Sequence, residues 1–296
     1  MSFKKMTTGE KIYTISAYVI TALLVVIIIL PIISVLSTSF VSEAELARRG
    51  TFILIPERFS TAAYEMVFNS PNIWQGYKNT LFVVSVGTTM SMLTTIGLAY
   101  PLSKRNLRGR TPILALMTFT MLFSGGTVPT YLTVNFYGLL DTRWALILPS
   151  LLSTWNTLLM RNFFYSIPES LEEAAYLDGA TQVQVLWKIV LPLSLPSIAT
   201  ISMFYGVGYW NAWFPGTMYI TKSKLLPIQN ITRAIVEAAT ASQADMDVAM
   251  ESLSEVPPSS ALKNATIIVS TIPILCVYPF IQKYFVKGVM VGSVKG

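Results

Sequence analysis

The chain is punctuated by six stretches, 13–37, 79–101, 112–134, 144–160, 189–214 and 264–280, that contain no Asp, Glu, Lys or Arg. Each can hold a helix of about 20 residues, which at ~1.5 Å per residue suits a hydrocarbon core of about 30 Å. In lipid every backbone N–H and C=O must find its partner inside the protein. Such stretches therefore predict an all-α polytopic membrane protein with six transmembrane helices. A secretory signal peptide would begin as residues 1–12 do, with Lys4, Lys5 and Lys11, but its apolar core is shorter and ends at a small-residue cleavage site. The first stretch reads as a span.

Placing the N-terminus inside puts 12 basic and 5 acidic residues on the inner segments, against 9 basic and 10 acidic outside. The bias is sharpest in the tight loop carrying Lys104, Arg105, Arg108 and Arg110, and short loops report orientation best. Both termini are expected in the cytoplasm. The organisation that follows is one transmembrane domain over 1–296, with outer loops at 38–78 and 215–263, a cytoplasmic loop at 161–188 and a cytoplasmic tail at 283–296. The first outer loop reads as a partly helical cap. The second has weak helical periodicity through Ile231, Ile235 and Ala238, then an acidic stretch ending at Pro257-Pro258. Inert covering and a docking face for an extracellular protein are both open for these loops.

Composition removes several function classes. The excess of 21 basic over 15 acidic residues would suit nucleic acid, but its distribution is a membrane address, so no nucleic-acid partner is expected. There is no histidine, hence neither the commonest general base nor the commonest transition-metal ligand. Cys276, the single cysteine, lies in an apolar stretch and reads as a small core residue rather than part of a metal cluster. No Gly-x-x-x-x-Gly-Lys-Ser/Thr loop occurs, so the chain is not expected to bind ATP. Charges in the middle of spans, which usually serve ion or proton coupling, are absent as well. The expectation is a non-catalytic chain without a cofactor or metal of its own.

A hydrophilic turn lies near the middle of the chain, 166–192, SIPESLEEAAYLDGATQVQVLWKIVLP. Ser166 and Glu169 have capping-box spacing, and Glu169, Glu172 and Glu173 favour the positive end of a helix. Gly179 stops that helix. Thr181 and Gln184 repeat the capping spacing and lead into the fifth apolar stretch. The spacing predicts a helix, a glycine corner and a second helix joined to a span, a lever on which a soluble partner can push.

The intervals Glu173-Ala174-Ala175, three residues, Gly179, nine residues, Ile189, one residue, Leu191-Pro192 form the cytoplasmic loop signature of ATP-binding-cassette importer membrane subunits. The chain resembles that family. Phe123-Ser124-Gly125-Gly126-Thr127-Val128-Pro129-Thr130-Tyr131, Gly138-Leu139-Leu140-Asp141-Thr142 and Ala145-Leu146-Ile147-Leu148-Pro149 are similar to the maltose-type sugar permeases, in their oligosaccharide and polysaccharide branch. The resemblance implies a type I ABC importer permease architecture in a bacterial cell membrane. It further implies a heterodimer with a second permease, two ATPase subunits that bind ATP and Mg, an extracytoplasmic solute-binding protein, and an oligosaccharide substrate that can include uronates. Glu173, Ala174, Ala175, Leu177, Asp178 and Gly179 are implied to sit in a groove of an ATPase, and the tail Gly292, Ser293, Val294, Lys295 and Gly296 to reach the ATPase pair.

Residues for a sugar path are sought in the outer half of the fifth stretch, where Tyr205, Tyr209, Trp210 and Asn211 combine aromatic faces with hydrogen-bonding groups, and at Trp155 and Asn156 in the fourth. An interfacial aromatic belt, or plain core packing, accounts for the same residues. Pro31, Pro149, Pro192, Pro196, Pro273 and Pro279 predict kinks that can line a cavity. Gly125-Gly126 predicts close helix approach or a local break. An ion-coupled carrier or channel acting without an ATPase is the alternative function.

Overall fold

Thr7 opens the first helix with a reciprocal cap. Its hydroxyl accepts from the Glu10 N–H at 3.4 Å while the Glu10 carboxylate accepts from the Thr7 N–H at 2.7 Å. The computed structural model describes residues 7–240 and 260–293, and among these every regular element is helical. Helix α1 runs Thr8–Thr38 through Pro31 without a break. Its apolar side chains are exposed on all sides, which suits lipid and not water.

The chain divides into two compact units. One comprises the segment ending at Ser70 together with Ala234–Ser270; the other comprises Pro71–Arg233 and the residues from Thr271 onward.

In the first unit α1 is followed by two short helices, α2 (Glu43–Arg49) and α3 (Ala62–Asn69), as expected for a partly helical segment. Glu45 anchors them. Its buried carboxylate accepts from the Glu57 N–H at 2.9 Å and from Arg49 at 2.6 Å. The Glu57 amide, and then Arg49, hold it below the usual carboxylate range against the opposing effect of burial. Ser39 and Tyr64 share a 2.7 Å hydrogen bond, and Phe40 lies on the Tyr64 ring.

Residues 71–78, expected to close the outer loop, are instead the first two turns of α4 (Pro71–Ser103). Proline at the first helical position needs no N–H partner, so Pro71 extends the helix outward from the apolar run. Helix α4 is the centre of the second unit. It buries a stripe of small residues, among them Gly76, Thr80, Gly87, Ser91, Thr95 and Ala99, which lets neighbouring backbones approach.

It packs on α7 (Trp144–Ile147), α8 (Thr154–Tyr165) and α12 (Leu195–Asn211). The remaining helices, in chain order, are α5 (Arg110–Leu122), α6 (Thr127–Phe136), α9 (Glu169–Leu177), α10 (Gln182–Val185), α11 (Leu191–Leu193), α13 (Phe214–Tyr219) and α14 (Ile228–Thr240). The last helix, α15, covers Ser260–Ser293 with Pro273 and Pro279 inside it.

Three of the six runs are broken rather than continuous, each at or beside a proline or glycine pair named above. Helices α5 and α6 meet at 112°, and the break falls at the glycine pair, where Gly126 takes φ +88°. The segment from α10 to α11, continuous through a widened π-turn at Leu186–Val190, meets α12 at 82°. Pro192 and Pro196 flank that bend at Ser194, because the Pro196 ring excludes the helical bond to the Pro192 carbonyl. The fourth run, 144–160, is not one helix. It is α7, a 3-10 turn at Leu148–Ser150, and a fresh start at α8, where the Ser153 hydroxyl accepts from the Asn156 N–H. Among the described residues three helices are long and apolar enough to cross a membrane, and the two bent pairs raise that to five.

Candidate functional site

The corner between α9 and α10 has the predicted shape. Gly179 takes φ +82°, a left-handed conformation that costs other residues about 1–2 kcal/mol. The Ala180 N–H donates to the Ala175 carbonyl at 2.9 Å and the Gly179 N–H to the Tyr176 carbonyl at 3.0 Å, the paired bonds of a Schellman end. One residue later Thr181 starts α10. Its hydroxyl accepts from the Gln184 N–H at 3.3 Å, and the Gln184 side chain accepts from the Thr181 N–H at 2.8 Å. The two helices thus turn with almost no slack.

The expected cap at the start of α9 is not formed. Ser166 closes α8 instead, its hydroxyl donating to the Phe163 carbonyl at 2.7 Å. Pro168 occupies the position before Glu169, so α9 begins after the proline and Ser166 lies too far back to cap it.

What holds α9 in place is a pairing across 68 residues: Lys104, just after α4, is ion-paired with Glu172, whose side chain is almost fully buried. The Lys104 ammonium also lies 4.4 Å from the centre of the Tyr100 ring. Ala175 and Ala180 pack on the core of the second unit. Ala175, Asp178, Gly179, Gln184 and Lys188 line a concavity of about 360 Å³ inside the corner.

The opposite face is open. Glu173, Ala174 and Asp178 are exposed, and Leu177 at the tip is 89% exposed. Covering such a leucine is worth about 1.5–3 kcal/mol. A rigid, tethered knob with an apolar tip and acidic shoulders can seat in a partner's groove. Of the expected tail residues, Gly292 and Ser293 end α15, while Val294, Lys295 and Gly296 lie outside the described residues.

The expected path residues separate into two groups. Tyr205 and Tyr209 are buried, and their hydroxyls are engaged inside the subunit. Tyr205 shares a 2.8 Å hydrogen bond with Thr95 and accepts from the Ser153 N–H at 3.0 Å. Tyr209 shares a 3.0 Å bond with Ser91 and lies 3.4 Å from the Ile147 and Ser150 carbonyls. They satisfy the backbone freed where the fourth run breaks. Irregular backbone at membrane depth is tolerated on that condition. Trp210 and Asn156 are buried too, whereas Asn211 and Trp155 are exposed.

Sequence reasoning missed the Lys104–Glu172 pair and the ladder of Ser91 and Thr95 against Tyr209 and Tyr205. The only available signal for the ladder was that both sets are spaced by four.

Residues 93–291 match the family described as the binding-protein-dependent transport system inner membrane component. The polygalacturonan/rhamnogalacturonan transport system permease protein YtcP of Bacillus subtilis (strain 168) is 46% identical over 287 residues, 97% of this chain and 99% of that protein. Protein LplC of the same organism is 44% identical over 270 residues, 91% and 90% of the two chains. A chain from the crystal structure of a bacterial ABC transporter involved in importing the acidic polysaccharide alginate superposes with a TM-score of 0.85 at 31% identity, covering 96% of this chain and 100% of that one.

Proposed function

The chain belongs to the binding-protein-dependent transport system inner membrane component family, and from that premise we propose that it is one of two permease subunits importing an acidic oligosaccharide, driven by cytoplasmic ATPases that engage the corner at Gly179. As a member it is an inner-membrane permease served by a binding protein. The finer reading includes a second permease, two ATPase subunits that carry out the hydrolysis, both termini inside, and six membrane crossings in which the fourth and the two bent runs each count once. The basic loop at Lys104 to Arg110 supports that orientation. The uronate character of the substrate is supported by two relatives whose names specify galacturonan and alginate transport. Trp155 and Asn211, exposed and uncommitted to the core, are the sugar-path residues of this reading.

The observation that carries the proposal is the tethered corner with Leu177 bare at its tip. A site-specific cross-linker at Ala174 or Leu177 is expected to capture an ATP-hydrolysing subunit in assembled membranes. Glu173→Lys is expected to leave insertion intact while ATP hydrolysis proceeds without uptake. Capture of no ATPase, or sugar flux through the purified chain alone, would favour an ion-coupled carrier or channel.

A further inference from the structure

Beside the corner, where α4 ends, α5 begins and α8 ends, three arginines converge on one aromatic ring. The guanidinium carbons of Arg105, Arg161 and Arg110 lie 5.1, 5.1 and 5.8 Å from the centre of the Tyr165 ring. Arg110 and Arg161 are oriented alike, since each donates its Nε–H to the Leu102 carbonyl, at 3.0 and 3.2 Å. The shared carbonyl orients both guanidinium groups. One terminal nitrogen of Arg161 is taken by Asn162 at 2.9 Å. Arg108 stands exposed in the same turn.

Among the described residues the ion pairs join Arg48 and Arg49 to Glu45 and Glu57, and Lys104 to Glu172. None reaches these four arginines. Like charges gathered within such a distance repel one another unless an anion is shared. Topogenic arginines need only lie on the right side of the membrane; convergence on a single ring is more than that role requires.

Three and six residues along α5 from Arg110, Ile113 and Leu116 are exposed apolar side chains. Fixed guanidinium donors beside exposed apolar side chains at a helix end match a phosphate attached to acyl chains, and do not match free phosphate. We propose that the Arg105, Arg108, Arg110 and Arg161 cluster binds the headgroup phosphate of an anionic phospholipid, with its chains along Ile113 and Leu116. The proposal shares with the proposed function only the assignment of this loop to the cytoplasmic face. Failure of lipid binding would leave the corner's role standing, and failure of the corner to meet an ATPase would leave the lipid site standing.

The test is native mass spectrometry of the whole purified transporter, titrated with phosphatidylglycerol or phosphatidylcholine of the same chains. Arg105→Gln/Arg108→Gln is the informative variant, because neither side chain holds the backbone as Arg110 and Arg161 do. Phosphatidylglycerol is expected to bind the wild type at least tenfold more tightly than phosphatidylcholine. The double variant should weaken it by roughly thirtyfold, about fivefold for each charge near an anionic headgroup. Arg105→Lys/Arg108→Lys should retain most of the preference. Equal binding of the two lipids, an unchanged preference in the double variant, or displacement of the lipid by millimolar inorganic phosphate would each overturn the proposal.

Discussion

Replacing Gly179 is expected to loosen the corner by an amount that depends on backbone preference and not on side-chain size. Its φ of +82° is forbidden ground for most side chains, and nothing lies within 4 Å of where a Cβ would stand. The steric cost is therefore absent and only the left-handed conformation is penalised, by about 1–2 kcal/mol for alanine, or a factor of about 5 to 30 in the opening equilibrium. Asparagine tolerates this region and should cost less, whereas valine, branched at Cβ, should cost more. The Ala180 amide reports the effect, since its bond to the Ala175 carbonyl closes the turn. Hydrogen exchange at Ala180 is expected to accelerate about 5 to 30-fold in Gly179→Ala, less in Gly179→Asn and more in Gly179→Val. Sugar imported per ATP hydrolysed should fall in the same order, with insertion unchanged. Wild-type exchange in Gly179→Ala, or a larger effect from asparagine than from alanine, would refute the reasoning.

Three further outcomes follow from the same geometry. Lys104→Gln leaves the Glu172 carboxylate buried without its cation and is expected to cost about 2 kcal/mol, discounted because Lys104 itself is partly exposed; the swap Lys104→Glu/Glu172→Lys should recover part of the lost thermal stability, and no recovery would show that the pair is incidental. Gly87→Ala would bring a methyl to 2.9 Å of the Tyr209 ring, whereas Gly206→Ala meets only the Thr88 hydroxyl at 3.7 Å, so the first should lower stability by about 1–3 kcal/mol and the second should be tolerated in the same melting experiment. Asp141 accepts from the Thr221 hydroxyl and from the Thr221 and Lys222 N–H groups, bonds that hold its carboxyl below the usual range. A depressed carboxylate stabilises above its unfolded pKa of about 3.9 and loses that contribution as pH falls through the folded value. The stability gap between wild type and Asp141→Asn should therefore be flat from pH 7 to 5 and close below about pH 4, and a gap that widened on acidification would contradict the assignment.

What could be read from the sequence was whatever depends on neighbours along the chain. The uncharged runs gave the helical membrane class, and Gly179 with Thr181 and Gln184 gave the corner, because glycine conformation and capping act within four residues. The glycine pair at 125–126 and the prolines around Ser194 likewise marked two of the three breaks. What was not legible rests on distant partners. In the fourth run Pro149 marks a kink, but not the full break after it, which depends on the Tyr205 hydroxyl, 52 residues away, accepting the Ser153 N–H. Ser166 looked like a cap because spacing does not disclose that α8 has already claimed it.

The hydroxyl ladder also bears on how force applied at the corner would travel. Sliding α12 along α4 would break the bonds of Tyr205 and Tyr209 to Thr95 and Ser91 and would strip the Ser153 N–H of its acceptor. Each neutral bond contributes about 0.5–1.5 kcal/mol, and an orphaned buried amide costs a further 1–3 kcal/mol. The ring of Tyr209 is in addition seated over Gly87 with no room to ride past a larger residue. Helices α4, α8 and α12 are thus expected to move as one body. Ala175, Ala180 and Val185 pack on the same core as those tyrosines, so the corner belongs to that body and is not hinged away from it. A push on Leu177 would then be delivered to the bundle as a rigid displacement, and any relative motion would be taken up at the break whose residues are exposed, Phe123–Gly126 between α5 and α6, since Val190, Leu191 and Ile198 around the Ser194 bend pack on the core.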